Sequence, residues 1–66
     1  MSLAVGLVVV IPTYNEADNI DDVLRGVRSA QPGATILVVD DASPDGTGER
    51  VEALRTELGG IELLRR

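Results

Sequence analysis

Thr35 to Gly48 reads TILVVDDASPDGTG. An apolar, largely β-branched run meets two adjacent aspartates, and a turn carrying Pro44 and Gly46 leads into a segment with helical spacing. An apolar run without polar alternation predicts a strand buried on both faces, as in a parallel sheet. Upstream, Val5 to Ile11, VGLVVVI, predicts a strand of the same kind, stopped by Pro12. Between the two, Ile20, Val23, Leu24 and Val27 fall at i, i+3, i+4 and i+7, the spacing of an amphipathic helix. Asp18, Asp21 and Asp22 near its start and Arg25 and Arg28 near its end complement the helix dipole, and Asp21 is placed to pair with Arg25 at i+4. Gln31-Pro32-Gly33 ends it. Downstream, Thr47 to Leu58 predicts a second helix with Val51, Leu54 and Leu58 inward, Asp45 or Thr47 as its cap and Gly59-Gly60 as its stop. Ile61 to Leu64 predicts a third short strand.

The order is β-α-β-α-β, an α/β fold. The repeat from the first predicted strand to the second is about 30 residues, the usual length of a βαβ unit. Right-handed crossovers put the three parallel strands in the order 3-2-1. Residues 1–66 are expected to form one incomplete unit, the opening nucleotide-binding half of a doubly wound sheet, with the first strand left at an open edge.

Composition excludes several function classes. Eleven acids against six bases give a net charge of −5, the wrong sign for gripping nucleic acid or anionic lipid. The absence of Cys and His removes disulfides, thiolate chemistry, His-based dyads and most zinc sites. All six bases are Arg, so there is no phosphate-loop Lys and no Schiff base. The apolar run from Leu3 to Ile11 has strand length, far short of the roughly 20 residues of a spanning helix. An apolar share of 44% is that of a folded domain.

In open parallel sheets, ligands bind beyond the carboxyl ends of the strands. Two polar segments fall there: Pro12 to Glu16, and Asp40 to Gly48. Tyr14, the sole aromatic residue, either covers the end of the sheet or offers a platform to a base or ribose. Glu16 either favours the start of the first helix or faces a ligand. Asp40 and Asp41 must point to opposite sides of the strand, so one can cap a loop while the other faces the crevice. Asp41 shares its parity with Val39 and is the choice for the crevice. Ser43 to Thr47 reads chiefly as a turn and cap. Gly46-x-Gly48 lacks the third glycine of a dinucleotide fingerprint and follows the second strand. The acids would repel a diphosphate but can accept hydrogen bonds from base N–H or ribose hydroxyl groups.

Val8 to Ile20, VVVIPTYNEADNI, and Val38 to Gly48, VVDDASPDGTG, together resemble the start of inverting glycosyltransferases of family 2, which have the GT-A fold. The Ser43 to Thr47 ending is most similar to that of the dolichol- or polyprenol-phosphate mannose synthases. The resemblance implies the opening, donor-binding part of an enzyme that transfers mannose from GDP-mannose to a polyprenyl phosphate with inversion, in the cytoplasm or at the cytoplasmic face of a membrane. It implies that Pro12, Tyr14, Glu16, Val39 and Asp41 contact the nucleotide sugar, with Asp40 an adjacent candidate. It implies a divalent cation, Mg or Mn, whose Asp-x-Asp ligands follow a later strand, so that neither catalytic nor metal-binding residues are expected within this chain. The isolated chain is then expected to be inactive. Rival readings are a family 2 enzyme using a UDP-sugar and another acceptor, a non-catalytic interaction module, and a signalling receiver domain. The receiver is disfavoured because its acidic pair follows the first strand.

The edge of the first strand carries no charge before Pro12 to blunt it. The chain is therefore expected to associate with itself, most simply by joining two such edges about a two-fold axis into a six-stranded sheet.

Overall fold

A computed structural model describes residues 6–66. Strand β1 (Val8–Thr13), helix α1 (Ile20–Ala30), strand β2 (Thr35–Asp40), helix α2 (Thr47–Leu58) and strand β3 (Ile61–Arg65) follow one another. The strands are parallel and lie in the order β1-β2-β3, so the expected class, topology and helix positions all hold.

Burial is one-sided, which corrects the expectation of strands buried on both faces. Two right-handed crossovers that wind in the same direction set both helices on one face of the sheet. There, Ile20 and Leu24 of α1 and Val51 and Leu54 of α2 form a single core with Ile36 and Val38 of β2 and Ile61 of β3. On the opposite face, Val8 and Val10 are 54% and 57% exposed and Leu64 is 50% exposed. Leu37 and Val39 between them are only half-buried. No element covers this apolar face among the described residues.

The first strand also runs further than expected, through Pro12 to Thr13. The Thr35 N–H donates to the Leu7 carbonyl and the Asp41 N–H to the Thr13 carbonyl. Odd-numbered residues of β1 therefore direct their backbone groups at β2, while Pro12 faces the open edge, where a missing N–H costs nothing. The expected start at Val5 lies outside the described residues.

The helix ends follow the sequence more closely. The Gln31 N–H closes α1 on the Val27 carbonyl at 2.8 Å, and the Gly59 N–H closes α2 on the Arg55 carbonyl at 3.0 Å. At the start of α2 the capping position falls to Gly46, which is left-handed with φ of 89°; Asp45 beside it accepts the Thr47 N–H at 3.1 Å.

The predicted pairing of Asp21 with Arg25 along α1 is replaced by two pairs between helices. Arg50 grips Asp21 through Nε and Nη2, each at 2.6 Å, and Arg25 grips Glu57 at 2.5 and 3.0 Å. A guanidinium can engage both oxygens of a carboxylate on the neighbouring helix, a geometry that outcompetes a single contact along one helix.

At the amino ends of β2 and β3, Arg28 ties the two post-helix turns together. Its Nη1 donates to the carbonyls of Gln31, Pro32 and Ala34, and its Nη2 to those of Gly59 and Gly60. The opposite, carboxyl end of the sheet is left to the two polar loops.

Candidate functional site

Strand pleat sorts the candidate residues. Val8 pairs in register with Thr35 and Thr13 with Asp40, so like parities of β1 and β2 share a face. Thr13 and Asp40 lie on the helix-covered side and are 6% and 2% exposed. Pro12 and Val39, partners in register, lie on the open side. Tyr14 and Asp41 come next at that parity, just beyond the strand ends; Tyr14 is 57% exposed and Asp41 is exposed. Four of the six candidates, Pro12, Tyr14, Val39 and Asp41, are thus brought together at one corner of the sheet. Glu16 is half-buried and tied instead toward the helices, its N–H donating to the Thr47 hydroxyl and its carbonyl accepting the Asn19 and Ile20 N–H groups at the entry to α1.

Asp40 stands apart from the others. Its Oδ1 accepts the Thr13 hydroxyl at 2.8 Å and the Ser43 hydroxyl at 2.5 Å, and its Oδ2 accepts the Ser43 N–H at 3.1 Å. Burial pushes its pKa up. The hydrogen bonds from Ser43 and Thr13, with the charge of Arg65, outweigh that and hold the carboxyl below the ordinary aspartate value. Asp40 is the buried acid of the pair, fixing the turn that follows β2, and Asp41 is the acid left facing solvent.

The two loops are joined by ties that the sequence reading missed. The Asn15 N–H donates to the Ser43 hydroxyl at 2.9 Å, the Glu16 N–H to the Thr47 hydroxyl at 2.9 Å, and the Ala17 N–H to Asp45 Oδ2 at 3.1 Å. The Thr47 hydroxyl in turn donates to Asp45 Oδ1. This hydroxyl, followed by the Ala17 and Thr47 N–H groups, keeps the Asp45 carboxyl below the usual aspartate range against some desolvation. Each tie spans 28 to 31 residues, so no local pattern announces it. The available signal was the strand register, which sets the two loops side by side.

Among the described residues, no group of three or more acidic or other ligating side chains converges as a metal site. Both Asp40 and Asp45 spend their oxygens on protein donors, and the residues present do not form a cation cage. No helix among the described residues is long and apolar enough to cross a membrane. The corner can accept hydrogen bonds through the Asp41 carboxylate and stack a flat group on Tyr14, whereas Val39, in the central strand between β1 and β3, has its backbone in the sheet and only its side chain on the open face.

A β-α-β-α-β parallel sheet with its polar loops at the carboxyl ends is the architecture of the N-terminal part of a GT-A, Rossmann-like fold. The sequence pattern of Glycosyl transferase family 2 matches residues 8–66, and the chain belongs to that family. It is 44% identical over 57 residues to an undecaprenyl-phosphate mannosyltransferase of Micrococcus luteus, covering 86% of this chain and 24% of that protein. It is 52% identical over 46 residues to a polyprenol monophosphomannose synthase of Mycolicibacterium smegmatis, covering 70% of this chain and 17% of the relative. It is 38% identical over 60 residues to a dolichol-phosphate mannosyltransferase of Pyrococcus furiosus, covering 88% and 17%. The chain thus spans a quarter or less of the length of these relatives. No solved structure matches it.

Proposed function

We propose that this chain is the donor-binding part of a glycosyltransferase that moves mannose from GDP-mannose to a polyprenyl phosphate with inversion. The observation that carries the reading is the convergence of Pro12, Val39, Tyr14 and Asp41 at the carboxyl end of the sheet, with the Asp41 carboxylate exposed while its neighbour Asp40 is buried. An exposed carboxylate and an exposed aromatic ring at the same end of the sheet suit a nucleoside, whose N–H and hydroxyl groups donate to the acid while its flat base meets the ring. The named activities of the similar proteins support mannose as the sugar and a polyprenyl phosphate as the acceptor.

In that reaction an acceptor phosphate oxygen attacks the anomeric carbon from the face opposite the departing nucleoside diphosphate. The bond from that carbon to the nucleoside diphosphate breaks, and GDP leaves with the electron pair. A phosphate acceptor is already anionic near neutral pH and makes little demand on a general base. The reading includes a divalent cation, Mg or Mn, held by residues outside this chain. A lipid acceptor puts the reaction at a membrane, with the enzyme in the cytoplasm or at the membrane's cytoplasmic face, and the isolated chain is left without turnover.

The test is calorimetric titration of the intact protein with GDP-mannose and, separately, UDP-glucose. GDP-mannose should bind, and Asp41→Asn should weaken it by about 1–3 kcal/mol, the scale of a hydrogen bond to a charged group. Failure of both donors to bind, or equal affinity in the variant, overturns the assignment; binding of UDP-glucose in preference to GDP-mannose overturns the donor alone.

The same reading extends to assembly. The outer edge of β1, unpaired among the described residues, and the exposed Val8, Val10 and Leu64 favour self-association of the 66-residue chain, with two β1 edges joining as the simplest form. Sedimentation equilibrium at tens of micromolar, about the range where weak dimers populate, should give a mass above that of one chain. A folded monomer there refutes this.

A further inference from the structure

The three consecutive N–H groups of Asn15, Glu16 and Ala17 all end on side chains of the other loop, Ser43, Thr47 and Asp45. A run of backbone N–H groups at the end of a strand is the usual makings of an anion cradle. Here each donor is already taken, so the loop has no such groups to offer a phosphate. What it presents instead is its side chains, Tyr14 and Glu16. The conformation that presents them is held by bonds from outside the loop. Asn15 is left-handed, with φ of 54°, and so is Ala42 in the facing loop, with φ of 53°. Asparagine adopts that region readily, whereas an alanine persists there only where its surroundings impose it.

Those surroundings are a relay of hydroxyls. Ser43 accepts the Asn15 N–H and donates to buried Asp40. Thr47 accepts the Glu16 N–H and donates to Asp45, which accepts the Ala17 N–H with its other oxygen. Each hydroxyl is used in both directions, so neither can rotate away without breaking two bonds.

We infer that Ser43, Asp45 and Thr47 are positioning residues for donor binding, which clasp the Tyr14–Ala17 loop by its backbone and set the placement of Tyr14 and Glu16 without touching the ligand. This rests on the donor-binding reading above. The three side chains do for the loop what a supporting shell does for any binding residue, holding it near its productive geometry before the ligand arrives.

The experiment compares wild type, Thr47→Val, Thr47→Ser and Ser43→Ala in the intact protein, by titration with GDP-mannose and by amide hydrogen exchange. Valine keeps the shape of Thr47 and removes its hydroxyl, leaving the Glu16 N–H without a partner. GDP-mannose affinity is expected to fall about tenfold, the equivalent of 1.4 kcal/mol, and exchange at Glu16 to accelerate by a similar factor. Serine, which keeps the hydroxyl, should restore both. Ser43→Ala should accelerate exchange at Asn15 and weaken binding likewise, and it carries the test if Thr47→Val does not fold. Variants that exchange faster but bind as wild type does overturn the positioning role, as does a Thr47→Ser protein as weak as Thr47→Val. A wild type that binds neither GDP-mannose nor UDP-glucose removes the donor-binding reading and this inference with it, whereas unaltered binding in the variants removes this inference alone.

Discussion

Asp40→Ala should be the most damaging single change at the carboxyl end of the sheet, lowering the stability of the chain by roughly 3 kcal/mol at neutral pH. The carboxylate is 2% exposed and receives the Thr13 hydroxyl, the Ser43 hydroxyl and the Ser43 N–H. Alanine leaves those donors facing a small void, and a buried donor without a partner costs more than the bond it formerly made is worth. Asp40→Asn is gentler in shape but still wrong in chemistry, because one amide end offers hydrogens where the carboxylate accepted them.

Acid should reveal the same network. Burial raises the pKa of Asp40, but the hydrogen bonds from Ser43 and Thr13 and the charge of Arg65 bring it below its ordinary value. A depressed folded pKa means that the contribution is complete above the unfolded value of about 3.9 and is lost as pH falls through the folded one. The gap in urea midpoint between wild type and Asp40→Asn, taken at one fixed protein concentration, should therefore be widest near neutrality and close below about pH 3.9. A gap that stays constant across that range would contradict the hydrogen-bonding account of Asp40.

The contrast between Asp40 and its neighbour explains how far the site was legible in the sequence. Alternation along a strand is a local property, so the division of labour within the Asp40-Asp41 pair follows from parity alone. Tertiary ties are different. The bonds from Asn15, Glu16 and Ala17 to the second loop depend on a register that pairs Val8 with Thr35, and nothing within either loop encodes it. Ser43, Asp45 and Thr47 therefore read as turn and cap residues, although their side chains also reach across to the other strand's loop.

Pro12 and the ion pairs depart from the reading for related reasons. Whether a proline ends a strand depends on which edge its nitrogen faces, and that is decided by the neighbouring strand. Whether Asp21 reaches Arg25 or Arg50 depends on a helix that packs only once the crossover is made. The fold itself, by contrast, rests on periodicities within single elements. These survived intact, apart from the assumption that an apolar strand has cover on both sides.

That one-sided cover makes the core small, and the second large effect follows from it. Seven buried hydrophobic residues make up the central cluster, and Ile36 is among those with no exposed surface. It occupies the middle strand, in register with Val9 on one side and Ile61 on the other. Ile36→Ala removes three carbons from the layer that both helices press upon, a change that typically costs 2–5 kcal/mol, or about 3.5 kcal/mol at mid-range. The whole stability of a 66-residue chain is on the order of 3–10 kcal/mol at the usual value per residue, so this one substitution should consume a large share of it or unfold the chain. Val10→Ala is the informative companion, since Val10 points to the bare face and is 57% exposed. If that face stays in water, the change should shift the urea midpoint little, within the roughly 0.5 kcal/mol of ordinary surface substitutions. If association covers it, the Val10→Ala penalty should grow with protein concentration, because partner binding is linked to stability by mass action. Circular dichroism in urea at two concentrations measures both, and an Ile36→Ala chain as stable as wild type would show that the core does not lie between β2 and the helices.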